Sequence, residues 1–162
     1  MDFLLRLEHS GFSTWVRESS SIFAFPTVLL LHTIGMGVVV GINAGIDLRI
    51  LGIAPALPLA PMENFFPVLW AGFGVNAVTG TVLVVIDATT TLTSLDFYVK
   101  LVFITLALVN LRLLRHRVFR DPDIDKAPLS TNTRIMAMTS LIFWLGAITA
   151  GRLMAYVGPV SQ

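Results

Sequence analysis

Four stretches of this chain run for about 20 residues or more with hardly a charged side chain among them. A helix rises about 1.5 Å per residue, so 20 residues match the roughly 30 Å of a bilayer's hydrocarbon. Such runs leave few alternatives. In hydrocarbon the backbone must satisfy its own hydrogen bonds, and a helix does so within one segment. The chain is only 13% charged, about half the usual share for a soluble domain, and its 162 residues leave no room for a separate soluble domain beside four spans. The expected fold is all-α: an integral membrane four-helix bundle forming one domain over residues 1–162.

Spans are expected at about 21–46, 65–88, 96–116 and 134–157. Pro26 falls in the first turns of span one, where a missing N–H is tolerated. Pro55, Pro58 and Pro61 punctuate the first loop, and TTTLTSL makes a short second connection, with Thr93 and Ser94 as candidate N-caps for span three. Residues 1–20 carry Asp2, Arg6, Glu8 and Arg17, which break up the apolar core that a secretory signal needs. Phe3, Leu4, Leu7, Phe12, Trp15 and Val16 instead suggest an N-terminal amphipathic helix at about 3–18, lying in the membrane interface.

Seven of the eleven basic residues fall in the odd loops: Arg49, Arg112, Arg115, Arg117, Arg120, Lys126 and Arg134. By the positive-inside rule those loops are cytoplasmic. Both termini then face outward, and the helices run up-down-up-down. The run LRLLRHRVFR reads as an anchor for anionic headgroups. The net charge of +1 gives no reason to expect nucleic acid, and the lipid bilayer is the expected partner.

Ionisable side chains inside a span are costly and tend to mark function. His32, Asp87, Lys100 and Arg152 come one from each span, all expected in the outer half of the bundle. His32, Met36, Asn43 and Asp47 share one stripe of span one; Gly37, Gly41 and Gly45 form a small-residue ridge on another, suited to close helix approach. Gly72, Asn76, Gly80 and Asp87 share a face of span two, and Asn43, Asn76 and Asn110 are candidates for interhelical hydrogen bonds. With Asp47, Arg49 and Asp87, the asparagines Asn43 and Asn76 make up an expected polar network.

His32 has two readings. One is a buried neutral histidine bonded to a neighbour; the other is a haem iron ligand or proton carrier, with Gly35 and Gly37 leaving room beside it. Lys100 and Arg152 lie nearer the surface, at the depth of the propionates of a haem b held by His32. The second axial ligand is open. His9 sits on the interfacial helix, His116 lies in the basic loop, and Met36 is on His32's own helix. A five-coordinate haem, Met154 or a partner chain could complete the site. Met136, Met138 and Met154 bring Cu(I) to mind but do not share a stripe. There is no cysteine, so thiolate metal sites and covalent haem attachment are excluded. No Ser–His–Asp set, phosphate loop, zinc motif or hydrolase carboxylate pair is legible.

The segments FPTVLLLHTIGMGVVVGINAGIDLRILG, WAGFGVNAVTGTVLVVIDATTTLT, LDFYVKLVFITLALVNL and IFWLGAITAGRLMAY resemble an uncharacterised family of bacterial four-span membrane proteins. That resemblance implies a bacterial cytoplasmic (inner) membrane protein with periplasmic termini. It gives no activity. A shorter resemblance is to the membrane protoporphyrinogen oxidase family and copper-resistance-type four-helix membrane proteins. It rests on His32 with GINAGIDLR (ending at Arg49) and on LDFYVKL around Lys100. It implies functional roles for His32 and Lys100, and haem b. The last span lacks that family's Arg-x-x-Asn-Glu-x-Pro pattern, which puts the oxidase activity in doubt and leaves haem or porphyrin binding as what the resemblance implies. Three functions are therefore expected in order: a haem-type membrane redox subunit, a non-catalytic anchor or accessory subunit of a larger complex, and a small homo-oligomeric proton-linked transporter.

Overall fold

The computed structural model describes residues 2–19, 21–121, 124–126 and 128–156. Among them the chain is all-helical, with no strand. Helices α1 (Asp2–Glu8) and α2 (Gly11–Glu18) come first, followed by α3 (Phe25–Ile50). A 3-10 helix (Ala60–Phe65) leads into α4 (Phe66–Ile86), a short α5 (Ala88–Thr93), α6 (Leu95–Val118) and α7 (Thr131–Tyr156). Four of these elements are long and apolar enough to cross a membrane: α3, the 3-10 helix with α4, α6 and α7. Leu30, Val78, Val102 and Leu145 are exposed on their outer surfaces. In water that surface would be a severe liability, whereas hydrocarbon is as apolar as the side chains. The chain is a multi-pass membrane protein.

The span ends differ from the sequence reading for local reasons. Helix α3 starts later, with Pro26 in its first turn, and continues past Asp47 and Arg49. It closes at Gly52, whose φ of 98° suits the turn made by Ile53 N–H bonding to Leu48 O and Gly52 N–H to Arg49 O. Asp87 leaves helical geometry (φ −137°, ψ 52°), and the expected loop TTTLTSL is largely the helix α5. Ser94 is the N-cap of α6, through extended backbone and without a side-chain bond. The last span begins three residues earlier than expected, at Thr131; residue 157 lies outside the described residues. The N-terminal segment is two helices in place of one, because Ser10 caps α2 by accepting from Ser13 N–H.

The bundle is an arc of two tight pairs. Helix α3 packs along α4, and α6 along α7; a lesser seam joins α3 to α7. In each pair the register is antiparallel: His32 meets Gly80 while Gly35 meets Gly72, and Lys100 meets Gly151 while Phe103 meets Gly146. One end of the bundle, the α5 end, carries α1, α2 and α5. The other, the basic end, carries the 3-10 helix and the segment after α6. There α4 and α6 meet through side chains, with Phe66 edge-on to Phe119 at 5.4 Å.

Glycine sets the α3–α4 approach, at a position other than the one expected. A Cβ on Gly35 would lie 2.8 Å from Gly72 O and 2.9 Å from Asn76 N. Gly37, Gly41 and Gly45, the expected contact ridge, face open space and are exposed. Helical phase explains it: Gly35 lies about 160° further round the axis than Gly37.

Two carboxylates outside the spans fasten the ends. Glu8 accepts from the hydroxyl and the amide of Thr89 on α5, with Arg17 at 3.6 Å. The Thr89 hydroxyl first, then its amide and Arg17, hold the Glu8 carboxyl below its ordinary value. Asp125 accepts from Leu59 N (2.6 Å) and Ala60 N (3.1 Å), and these amides hold it below the usual range as well. Arg49 turns the same way, to Leu57 O and to Asp125 at 3.9 Å. It therefore serves this loop and stands apart from the polar set around Asp47.

Candidate functional site

His32 is half-buried on α3, against α4. Its Nδ1 lies 3.1 Å from Asn76 O and 3.1 Å from Thr79 Oγ1. The carbonyl can only accept, which suits a protonated Nδ1 with the lone pair on Nε2, whereas Asn76 Nδ2, a donor 3.3 Å from the same nitrogen, suits the other tautomer. Asn76 in turn donates its Nδ2 to His32 O at 2.8 Å. The imidazole and the asparagine thus lock one another, and the ring sits in the hollow left by Gly80, where a Cβ would come within 3.0 Å of Cε1. Among the described residues Nε2 has no hydrogen-bond partner.

Lys100 approaches from the other pair. It lies on α6 along the backbone of α7, where a Cβ on Gly151 would touch its Cε at 3.4 Å and Nζ at 3.5 Å. Its charge reaches the His32 ring. Among the described residues no carboxylate or other acceptor meets Lys100. A half-buried ammonium without an anion is unusual inside a membrane span, where such groups pair or line a functional cavity. The arrangement can hold a metal or a proton at Nε2 and an anionic group beside it.

Four ionisable groups were expected at this end of the bundle; His32 and Lys100 lie within range of each other's charge, without a direct contact among the described residues. Arg152 is exposed and makes no hydrogen bond or ion pair among the described residues. It follows Gly151 by one position, so it points about 100° away from Lys100. Asp87 is exposed at the α4–α5 break and its side chain has no partner among the described residues.

A second polar set lies towards the basic end. Asn43 donates Nδ2 to Asp47 Oδ2 on its own helix and to Ser140 Oγ on α7 at 2.8 Å. The Ser140 hydroxyl also faces the Asp47 carboxyl. Asn43, Asp47 and Ser140 are each about 1% exposed, so water does not share this network. Among the described residues no cation meets Asp47, and Asn43 Oδ1 is buried without a partner, as is the Nε1 of Trp144 one turn along α7. Asn110 of α6 donates to Met136 O of α7 at 2.8 Å. All three asparagines therefore cross between helices, as the sequence suggests.

Sequence reasoning missed Thr79 and Ser140, and it took Gly35 as room beside His32 instead of as the contact with α4. Hydroxyls are common in spans and usually bond to their own helix, as Thr33, Thr81, Thr105 and Thr139 do here. Only the spacing Asn76–Thr79, one turn, marks Thr79 as a neighbour of the asparagine. Among the described residues no three His, Asp or Glu side chains gather into a metal site.

No protein-family model, curated protein or solved structure matches the chain.

Proposed function

We propose that the chain is a membrane redox subunit that holds haem b through His32. The observation that carries the reading is an imidazole Nε2 and an ammonium within range of each other's charge, neither with a partner among the described residues. Metal-ligating histidines commonly donate the other ring N–H to a carbonyl, and with Nδ1 protonated His32 would do so to Asn76 O, 3.1 Å away. His32 would hold the iron and Lys100 would face a propionate; the exposed Arg152 has no place in this arrangement. Haem b supplies one-electron transfer. The chain's own part is to fix the imidazole through Asn76 and Thr79, to leave space at Gly80, and to place a cation nearby. It offers no second imidazole there: His9 is in the α1–α2 turn and His116 is at the basic end of α6. Any further ligand would come from Met154, an exogenous group or a partner chain.

The same reading orients the protein in a bacterial inner membrane. Arg112, Arg115, Arg117, Arg120 and Arg134 place the basic end in the cytoplasm. The α5 end and both termini then face the periplasm, and the spans alternate in direction. Helices α1 and α2 lie at that surface, with Phe3, Phe12 and Trp15 exposed towards the headgroups.

The test is an absorption spectrum. Purified protein is expected to show a Soret band that shifts on reduction, and His32→Ala is expected to abolish it. A colourless wild-type preparation overturns the reading.

One observation favours a second reading, an accessory subunit of a larger complex. Gly37, Gly41 and Gly45 make an exposed small-residue stripe that no helix among the described residues covers. Such stripes allow close helix packing in membranes. Gly41→Leu would then leave the lone chain folded and release it from any co-purifying partner.

A further inference from the structure

The basic run on α6 is more than a diffuse positive belt. Arg112, Arg115, His116 and Arg120 fall at steps of three, four and eight, and all four line one open groove of about 600 Å³ beside the 3-10 helix. Arg117 lies on another face, with its Nη1 3.6 Å from Met136 Sδ, and takes no part.

The groove is short of negative charge. Among the described residues its one lining carboxylate, Glu63, is engaged with Arg115 at 3.1 Å. Arg112 and Arg120 make no ion pair or hydrogen bond among the described residues. Two guanidiniums are already ordered on aromatic faces. Arg112 Cζ stands 5.7 Å from the Trp70 ring centroid, and Arg115 Cζ 4.6 Å from that of Phe66. Stacking holds a guanidinium by its face and leaves its N–H edge free for a planar pair of oxygens. A phosphodiester has the matching geometry.

Depth selects the source of that phosphate. Helix α6 has 24 residues and is therefore about 36 Å long, more than the hydrocarbon thickness. Its last two turns reach headgroup level. Leu113, 57% exposed, and Phe119 line the same groove, and a ligand with acyl chains would cover them where free phosphate would not.

We propose that this groove is a binding site for one anionic phospholipid, its phosphate held by Arg112 and Arg120 with Arg115 and His116 alongside. The site is independent of the haem reading and lies at the opposite end of the bundle.

Native mass spectrometry of the full chain in detergent tests it, with phosphatidylglycerol and phosphatidylcholine of identical acyl chains as probes. Phosphatidylglycerol is expected to bind about tenfold or more tightly than phosphatidylcholine, the scale of two basic residues at a bilayer surface. The double variant R112Q/R120Q is expected to lose that preference. Neither arginine supports another of the described residues by a hydrogen bond or ion pair, so the fold is expected to survive, and retained phosphatidylcholine binding checks this. R117Q is expected to match wild type. Equal affinity for the two lipids overturns the proposal, as does an equal loss in R117Q. Displacement of phosphatidylglycerol by inorganic phosphate at the same concentration also overturns it, by showing that the phosphate alone is the ligand.

Discussion

The two ends of the bundle treat polar side chains in opposite ways. Towards the basic end, Asn43, Asp47 and Ser140 are sealed from water and directed at one another, and they join α3 to α7 across the seam between the helix pairs. Towards the α5 end, His32 is fixed to α4 and Lys100 lies along α7, each held within its own side of the arc. Both are half-buried and both retain unfilled bonding capacity. The first arrangement fits a structural joint, the second a place for something the chain does not itself provide. Both draw on the same stripe of α3, so its residues differ in role because their neighbours differ.

The largest expected effect tests what holds His32 in place. Gly35→Val would press a side chain against the backbone of Gly72 and Asn76, which cannot swing aside. Overpacking of this kind costs about 3 kcal/mol or more when backbone must move. A large fall in the thermal midpoint in detergent is expected, while Gly41→Val should leave it unchanged. Equal behaviour of the two variants would show that the pair is held some other way.

Next comes the joint. Asn43→Leu removes a donor from a buried carboxyl and is expected to cost about 1–3 kcal/mol. Urea or thermal unfolding in mixed micelles measures it. Lys100→Met makes the sharper contrast. If that ammonium has no internal partner, its loss should change stability by under about 0.5 kcal/mol, or raise it slightly. A cost as large as that of Asn43→Leu would erase the distinction between the two ends.

The smallest effect concerns the latch at the α5 end. The folded Glu8 carboxyl titrates below its ordinary value. Its contribution to docking α1 on α5 is therefore complete at pH above the ordinary glutamate range and is lost as pH falls through the lowered folded value. Hydrogen exchange at the Thr89 amide should quicken relative to neighbouring amides across that acid range. Glu8→Gln should remove the pH dependence.

Much of the fold was legible because membranes enforce a simple rule. Long apolar runs between charged loops gave the four helices, and errors were confined to ends where a local device decides, such as Asp87, Gly52 and the Ser10 cap. The site was legible in part. His32, Asn76 and Lys100 stand out as polar residues in apolar company, and spacing puts Gly72, Asn76 and Gly80 on the face that meets α3. What failed was rotation. The ridge of Gly37, Gly41 and Gly45 has the better motif, yet Gly35 makes the contact. Arg152 sits at a suitable depth but points elsewhere. Depth follows from counting residues, whereas the direction a side chain faces depends on which helix becomes its neighbour, and hydropathy carries little of that.

The joint between α3 and α7 also has a consequence in time. Ser140 follows Asn43 by 97 positions. At about 5–20 residues per second of synthesis, Asn43 and Asp47 emerge about 5 to 20 seconds before the hydroxyl that completes their network. During that interval the first span carries an incomplete polar pair into a newly forming membrane protein. The Asn43–Asp47 pair of α3 therefore gains its Ser140 partner only once α7 has been made.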